Sequence, residues 1–296
     1  MSRLNLGTGG ALTTMVASAA ANQAGAALGA RAFPAIGPAG VVAVRQFVAA
    51  AVLLPIARPD LRRMTWSQWW PTLLLGVVFA TMNISLYTAV DRIGLGLAVT
   101  LEFLGPLAVA LCGSRTPIDL VCAVVAGVGV YVLVLPGSST DLVGLSLGLL
   151  AAGCWASYIL LNRVVGARLP GLQGPAVGTS VAALLYLPVA IVLLAQGRFS
   201  WMGLAYALGA GVLCSVVPYA ADVVALRRVP PRFFGLLQSV HPVWAALAGA
   251  LILGQIPAAH VWAGMAIVVG TNAAAVAVAG RRAIRVAQNA RPVPAT

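Results

Sequence analysis

The sequence predicts an all-α integral membrane protein of ten transmembrane helices, arranged as two inverted five-helix repeats. Three observations carry this prediction. Hydrophobic residues make up 61% of the 296 residues, charged residues only 8%, and the mean hydropathy is +0.98. A soluble domain carries roughly a quarter charged residues, so this chain has too little charge to cover a water-facing surface. Apolar runs of about the 20 residues that cross a hydrocarbon core follow one another along the whole chain. Landmarks also recur: Gly29-Ala30-Arg31 with Gly37-Pro38 returns as Gly166-Ala167-Arg168 with Gly174-Pro175, and Arg92, Pro106 and Ala110-Leu111 return as Arg228, Pro242 and Ala246-Leu247. Each copy holds five apolar runs. An odd number places the second copy upside down relative to the first, the arrangement from which many carriers are built.

The first repeat, residues 1–138, holds apolar runs at 11–32, 38–57, 69–90, 93–113 and 117–135. The second, residues 139–280, holds them at 143–162, 175–195, 202–222, 232–253 and 260–280. In lipid the backbone must satisfy its own hydrogen bonds, so runs of this length are helices. Pro, Gly and Arg punctuate the short connections, as in Arg58-Pro59-Asp60, Pro136-Gly137-Ser138 and Pro230-Pro231-Arg232. The first run resembles a secretory leader with a cleavage site at Ala17-Ser18-Ala19. A single Arg3 precedes it and its counterpart in the second copy is a span, so it reads as a retained helix. Residues 281–296 read as a short, polar, disordered basic cytoplasmic tail lying against the membrane surface.

The formal charge of +12 comes from 18 basic residues, all of them arginine. Without lysine there is no phosphate-binding loop of the Gly-Lys-Ser/Thr kind and no Schiff-base chemistry. Placing the N-terminus in the cytoplasm puts every arginine on the cytoplasmic side except Arg31, Arg92 and Arg198 outside and Arg45 within a span. That skew predicts both termini inside, in the inner membrane of a bacterial cell. The charge therefore records topology rather than nucleic-acid binding, and membrane lipid is the expected surrounding partner. The oligomeric state has no signal in the sequence. Cys112, Cys122, Cys154 and Cys214 lie in apolar runs without metal-ligand spacing, and read as buried thiols. Neither metal nor cofactor is expected. No HExxH motif and no Ser/His/Asp or paired-Asp constellation appears, so the chain does not read as an enzyme.

Polar residues within the runs are the candidates for function. Glu102 sits near the middle of the fourth run, where a charge costs about 2.5–3.5 kcal/mol on insertion scales and normally faces a cavity or a partner. Its repeat counterpart is Gln238, and each is followed four residues later by proline, Pro106 and Pro242. Proline cannot donate to the carbonyl four residues back, so both helices are expected to break at mid-depth and offer free polar backbone. His241, beside Pro242, is a candidate proton partner for Glu102, with Asp222 a further coupling or gating carboxylate or else one half of a helix-end ion pair with Arg227. Arg45 either snorkels to the outer surface or presents its planar fork to a carboxylate or anionic substrate group. Asn22, Gln23, Asn83, Tyr87, Trp155, Tyr158, Asn162 and Tyr219 complete the candidate substrate-binding set. Trp155 and Tyr158 share one helix face. Gly25 and Gly29, and Gly144, Gly148 and Ala152, have the spacing of close helix packing.

Three stretches carry a family resemblance. Gly25-Ala26-Ala27-Leu28 with Gly37-Pro38-Ala39-Gly40-Val41-Val42-Ala43-Val44-Arg45 is one. Gly94 to Ala110, with Leu101-Glu102-Phe103-Leu104-Gly105-Pro106-Leu107-Ala108-Val109-Ala110, is the most specific. The third runs from Val217-Pro218-Tyr219 through Ala225-Leu226-Arg227-Arg228 to Phe234-Gly235. Together they resemble the EamA-domain members of the drug/metabolite transporter superfamily, and within it the threonine/homoserine exporter branch. The resemblance implies export of an amino acid or similar small metabolite, a central cavity between the halves, and Glu102 and Arg45 as retained positions. Asp222 stands where the family commonly has Glu. His241 and Gln255 stand where Glu is expected, which bears on both substrate and proton coupling.

The function these readings support is an inner-membrane secondary transporter. It exports a small polar metabolite such as threonine or homoserine by alternating access, with protons as the candidate coupling ion. A passive facilitator or channel, and a flippase of a lipid-linked metabolite, are the alternatives on the same fold.

Overall fold

The computed structural model describes residues 8–112, 117–134, 141–197, 200–218 and 240–289, and among them every regular element is helical. In the first half α1 spans Thr8–Ala30, α2 Phe33–Ala57, α3 Trp66–Ile93, α4 Leu95–Glu102, α5 Leu104–Cys112 and α6 Pro117–Val134. In the second half α7 spans Leu142–Gly166, α8 Gln173–Leu185, α9 Leu187–Ala195, α10 Trp201–Gly211, α11 His241–Leu253 and α12 Ala259–Asn289. A π-helical turn, Val212–Val216, extends α10. Helices α2, α3 and α7 are each long and apolar enough to cross a bilayer, and the pair α8 and α9, bent by 40°, makes a fourth. The apolar stretches Leu95–Val109, Leu120–Leu133, Trp201–Val216, His241–Leu253 and Ala259–Ala275 are shorter.

Local chemistry explains the ends. Gln68 of α3 reaches back to accept the Thr65 backbone N–H at 3.0 Å, a capping box. Asp141 caps α7 by accepting the Gly144 N–H at 2.9 Å, and Ser200 caps α10 through the Gly203 N–H at 3.0 Å. Gly94 joins α3 to α4 with φ +84°, a region an L side chain rarely adopts.

Several expectations change in detail. The fourth apolar run does break, but at Phe103 rather than at Pro106, which lies in the first turn of α5. Pro242 likewise sits in the first turn of α11. A proline lacks only an N–H that a first turn would leave unbonded, so the interruption falls just before it. The seventh run also breaks, at Tyr186 ahead of Pro188, and the Tyr186 hydroxyl donates to the Ala80 carbonyl at 2.7 Å. The tail is not irregular from Arg281: α12 continues to Asn289, because Ala, Arg and Gln keep the helix propensity high past the apolar run.

The two halves interleave. The most extensive pairing in the molecule is α3 against α7, and α2 and α3 both pack on α8. α1 packs on α10, the π turn and α11, while α4 lies between α7 and α11. Glycines set these approaches, as expected. A Cβ on Gly25 would come within 2.7 Å of Leu213 Cβ, one on Gly148 within 2.9 Å of Leu101 Cδ1, and one on Gly105 would overlap the Ala152 carbonyl oxygen.

Candidate functional site

Helices from both halves converge on a cavity of about 240 Å³. Its charged members come from α2 and α4. The Arg45 guanidinium lies over the Tyr87 ring, 4.7 Å from the centroid, a cation–π contact. Glu102, the last residue of α4 and the only glutamate in the chain, is 6% exposed and faces the same space. Arg45 and Glu102 thus border one space from two different helices. The ion pairs among the described residues, Arg63 with Asp60 and Arg92 with Asp141, lie elsewhere.

A second group of side chains joins the broken ends. His241, the first residue of α11, stacks on Phe103 at the α4–α5 break, ring centroids 5.5 Å apart, and Trp155 packs edge-on to Phe103 at 4.6 Å. The Gln23 amide N–H donates to His241 Nδ1 at 3.0 Å, as assigned from the placement of the amide, which describes a neutral imidazole. The α4–α5 break and the start of α11 therefore meet at the cavity.

The π turn supplies the third wall. Pro218 lacks the N–H that would take up the Cys214 carbonyl, and the Val217 N–H bonds instead to the Val212 carbonyl, five residues back. This turn brings Cys214 and Ser215 to the cavity. The Cys214 thiol donates to the Asn22 carbonyl at 3.1 Å and lies 4.0 Å from the Tyr87 hydroxyl. Three polar atoms on the cavity residues, Arg45 Nε, Gln23 Oε1 and Gln46 Oε1, are buried without a hydrogen-bond partner. Each such atom costs about 1–3 kcal/mol if left unmet. The wall thus offers both donors and acceptors to a polar solute.

Comparison with known proteins agrees with this architecture. The sequence profile of the EamA-like transporter family matches residues 142–275. The chain is 36% identical over 250 residues to the threonine/homoserine exporter RhtA of Escherichia coli K12, covering 82% of this chain and 83% of that protein. It is 38% identical over 239 residues to the exporter of the same name from Salmonella typhimurium LT2, covering 79% and 80%. This chain belongs to the EamA-like transporter family, in its RhtA branch. A crystal structure of a protein 19% identical superposes with a TM-score of 0.59 over 92% of this chain and 98% of the other, so the fold is shared.

In this EamA-like transporter most of the sequence-predicted residues come together. Asn22, Gln23, Arg45, Asn83 and Tyr87 line the cavity from α1, α2 and α3. Glu102, Trp155, Tyr158 and His241 line it from α4, α7 and α11. Asn162 is not among the lining residues; it stands half-buried, one turn beyond Tyr158 on α7. Tyr219, Asp222 and Gln238 lie outside the described residues. Arg45 does not snorkel to the surface, because the Tyr87 face and the cavity hold its guanidinium inside the bundle.

Sequence reasoning missed Gln46, Thr179, Cys214 and Ser215. Gln46, 2% exposed, had the same signal as Arg45, a polar residue within an apolar run. Cys214 and Ser215 carried no signal of their own, since only the π turn directs them inward. Cys214 both packs against Gly25 and borders the cavity, beyond the purely structural thiol expected.

Proposed function

We propose that this membrane protein exports a small zwitterionic amino acid of the threonine/homoserine class. Ten spans form two inverted repeats, residues 1–138 and 139–280, with both termini and the basic segment 281–296 in the cytoplasm of a bacterial cell. The substrate sits between the repeats and is exposed to each side in turn. The observation that carries this reading is the pair Arg45 and Glu102, opposite charges on one small cavity. Arg45 takes the substrate carboxylate, for which a planar guanidinium gives a bidentate fit, and Glu102 takes the ammonium group. Asn22, Gln23, Asn83, Tyr87, Trp155 and Tyr158 complete the binding wall, and Asn162, Tyr219 and Gln238 are further substrate-binding candidates. A volume below the roughly 300–1,000 Å³ of drug-sized sites suits a single amino acid. The exporters named above, 36% and 38% identical to it over about four fifths of their length, support the substrate class. Protons drive the cycle through Glu102, with His241 and Asp222 as relay groups, and no covalent chemistry or cofactor is involved.

Inside-out vesicles test the proposal directly. Labelled threonine or homoserine is expected to accumulate when a proton gradient is imposed. Glu102→Gln and Arg45→Ala should each lower uptake at least tenfold, and Arg45→Lys should keep part of it. No uptake of any amino acid, with or without a gradient, would overturn the reading.

A further inference from the structure

Three helices that line the cavity run from it to the same end of the molecule, and there each is tied to the opposite half. Along α1, Asn22 and Gln23 at the cavity lead to Arg31 just beyond the last turn. Along α4, Glu102 at the cavity leads back to Leu95. Along α11, His241 at the cavity leads out to Ile252. Between the cavity and this end lies an apolar plug of small residues, including Ala27, Ala98, Val99, Ala245 and Ala248, all buried.

Two side chains close the rim above the plug with three hydrogen bonds. Arg31 of the first half donates through Nε to the Ile252 carbonyl of the second half at 3.0 Å, and through its Nη2 to the same oxygen. Gln255 of the second half accepts the Leu95 N–H of the first half at 2.9 Å. Both backbone groups are helix-end orphans: Ile252 is in the last turn of α11 and Leu95 opens α4, whose preceding Gly94 offers no side-chain cap. Each half therefore satisfies the exposed helix end of the other, and water can take over both roles when the halves part.

The seam between α3 and α7 is held differently. Arg92 pairs with Asp141 at 2.9 Å at this end, and at the opposite end Gln68 donates to the Arg168 carbonyl at 3.0 Å while Arg168 donates to the Ser67 carbonyl. That seam is tied between the halves at both ends, whereas the Arg31 rim has its ties at one end.

We infer that Arg31 and Gln255 are positioning residues for transport, the latch of a gate formed by the Arg31 end of α1, α4 and α11, which swings about the fixed α3–α7 seam. The inference rests on the carrier reading above but not on the identity of the solute. It also explains how the gate reaches the site, since opening it moves the segments that hold Glu102 and His241.

Cys214, which borders the cavity, reports the gate. A membrane-impermeant maleimide is applied to right-side-out and to inside-out vesicles, and labelling of Cys214 is read by peptide mass spectrometry. From the Arg31 side, Arg31→Ala and Gln255→Ala are expected to raise labelling by roughly threefold to tenfold, with labelling from the other side unchanged or lower. Arg31→Lys and Gln255→Glu, which keep a donor and an acceptor, should restore the wild-type pattern, and Arg92→Ala should leave it unaltered. Unchanged labelling in both alanine variants, an equal rise from both sides, or the same one-sided rise in Arg92→Ala would overturn the gate. Because labelling needs no substrate, a failure of amino-acid uptake would be seen separately from a failure of the gate.

Discussion

Single residues decide this protein's chemistry where a small backbone or a buried hydrogen bond leaves no slack. Gly105 lets α5 approach the Ala152 carbonyl of α7, so Gly105→Leu forces apart the broken helix and its neighbour. The expected outcome is loss of folded protein in detergent by size-exclusion chromatography, whereas Gly153→Ala, with open space at that Cβ, should be tolerated. The Tyr186 hydroxyl holds the α8–α9 bend to the Ala80 carbonyl. Tyr186→Phe removes that donor and should cost about 1 kcal/mol, read as a lower unfolding midpoint. At the α7 N-terminus the Asp141 carboxyl is held below the usual aspartate range by the Gly144 N–H and then by Arg92. A lowered folded value means this contribution is intact above the ordinary aspartate range and fades as pH falls through the folded one. Wild type should therefore lose a small increment of stability only in acid, and Asp141→Asn should flatten that part of the profile.

At the scale of elements, the interruptions matter more than the helices. Residues from α4, α11 and the π turn reach the cavity because a proline stands nearby in each case: Pro106, Pro242 and Pro218. Pro218 removes an N–H and accompanies the shift of local hydrogen-bond register into the π turn, whereas Pro106 and Pro242 stand in the first turns of α5 and α11, where that N–H has no helical partner. Pro218→Ala restores the missing donor and should let the turn relax to an ordinary α-helix. The expected result is a changed Cys214 labelling rate together with reduced export, while the protein stays folded. These breaks were legible only in part. Pro106 announced the α4–α5 break, but the bend at Tyr186 and the π turn were not foreseen, and residues 219–239 ahead of Pro242 lie outside the described residues. Many spans tolerate proline without breaking so far, and the neighbouring helices decide how a freed carbonyl is satisfied.

At the scale of the whole molecule, the interleaved halves place one cationic and one anionic side chain on a shared small cavity. Removing both charges should do less harm to folding than removing one, because a lone charge inside the bundle has no compensation. Arg45→Met with Glu102→Gln is thus expected to yield more folded protein than Arg45→Met alone, with export abolished in both.

The sequence by itself determined the membrane class, the helical content and the position of much of that helix along the chain. Each follows from local quantities: apolar run length, arginine placement and the spacing of proline and glycine. It also pointed to most of the polar cavity residues, since a polar side chain inside an apolar run is costly unless it has a use. What the tertiary structure alone decided is which of those residues share one space. Asn162 stands away from it although Tyr158, one turn earlier, borders it; Gln46, Cys214 and Ser215 join it; and Arg45 turns inward over Tyr87 instead of outward to the surface. The rotation of a helix about its own axis is set by packing against neighbours far away in the chain, and in lipid no contrast of polar and apolar faces announces that rotation in the sequence.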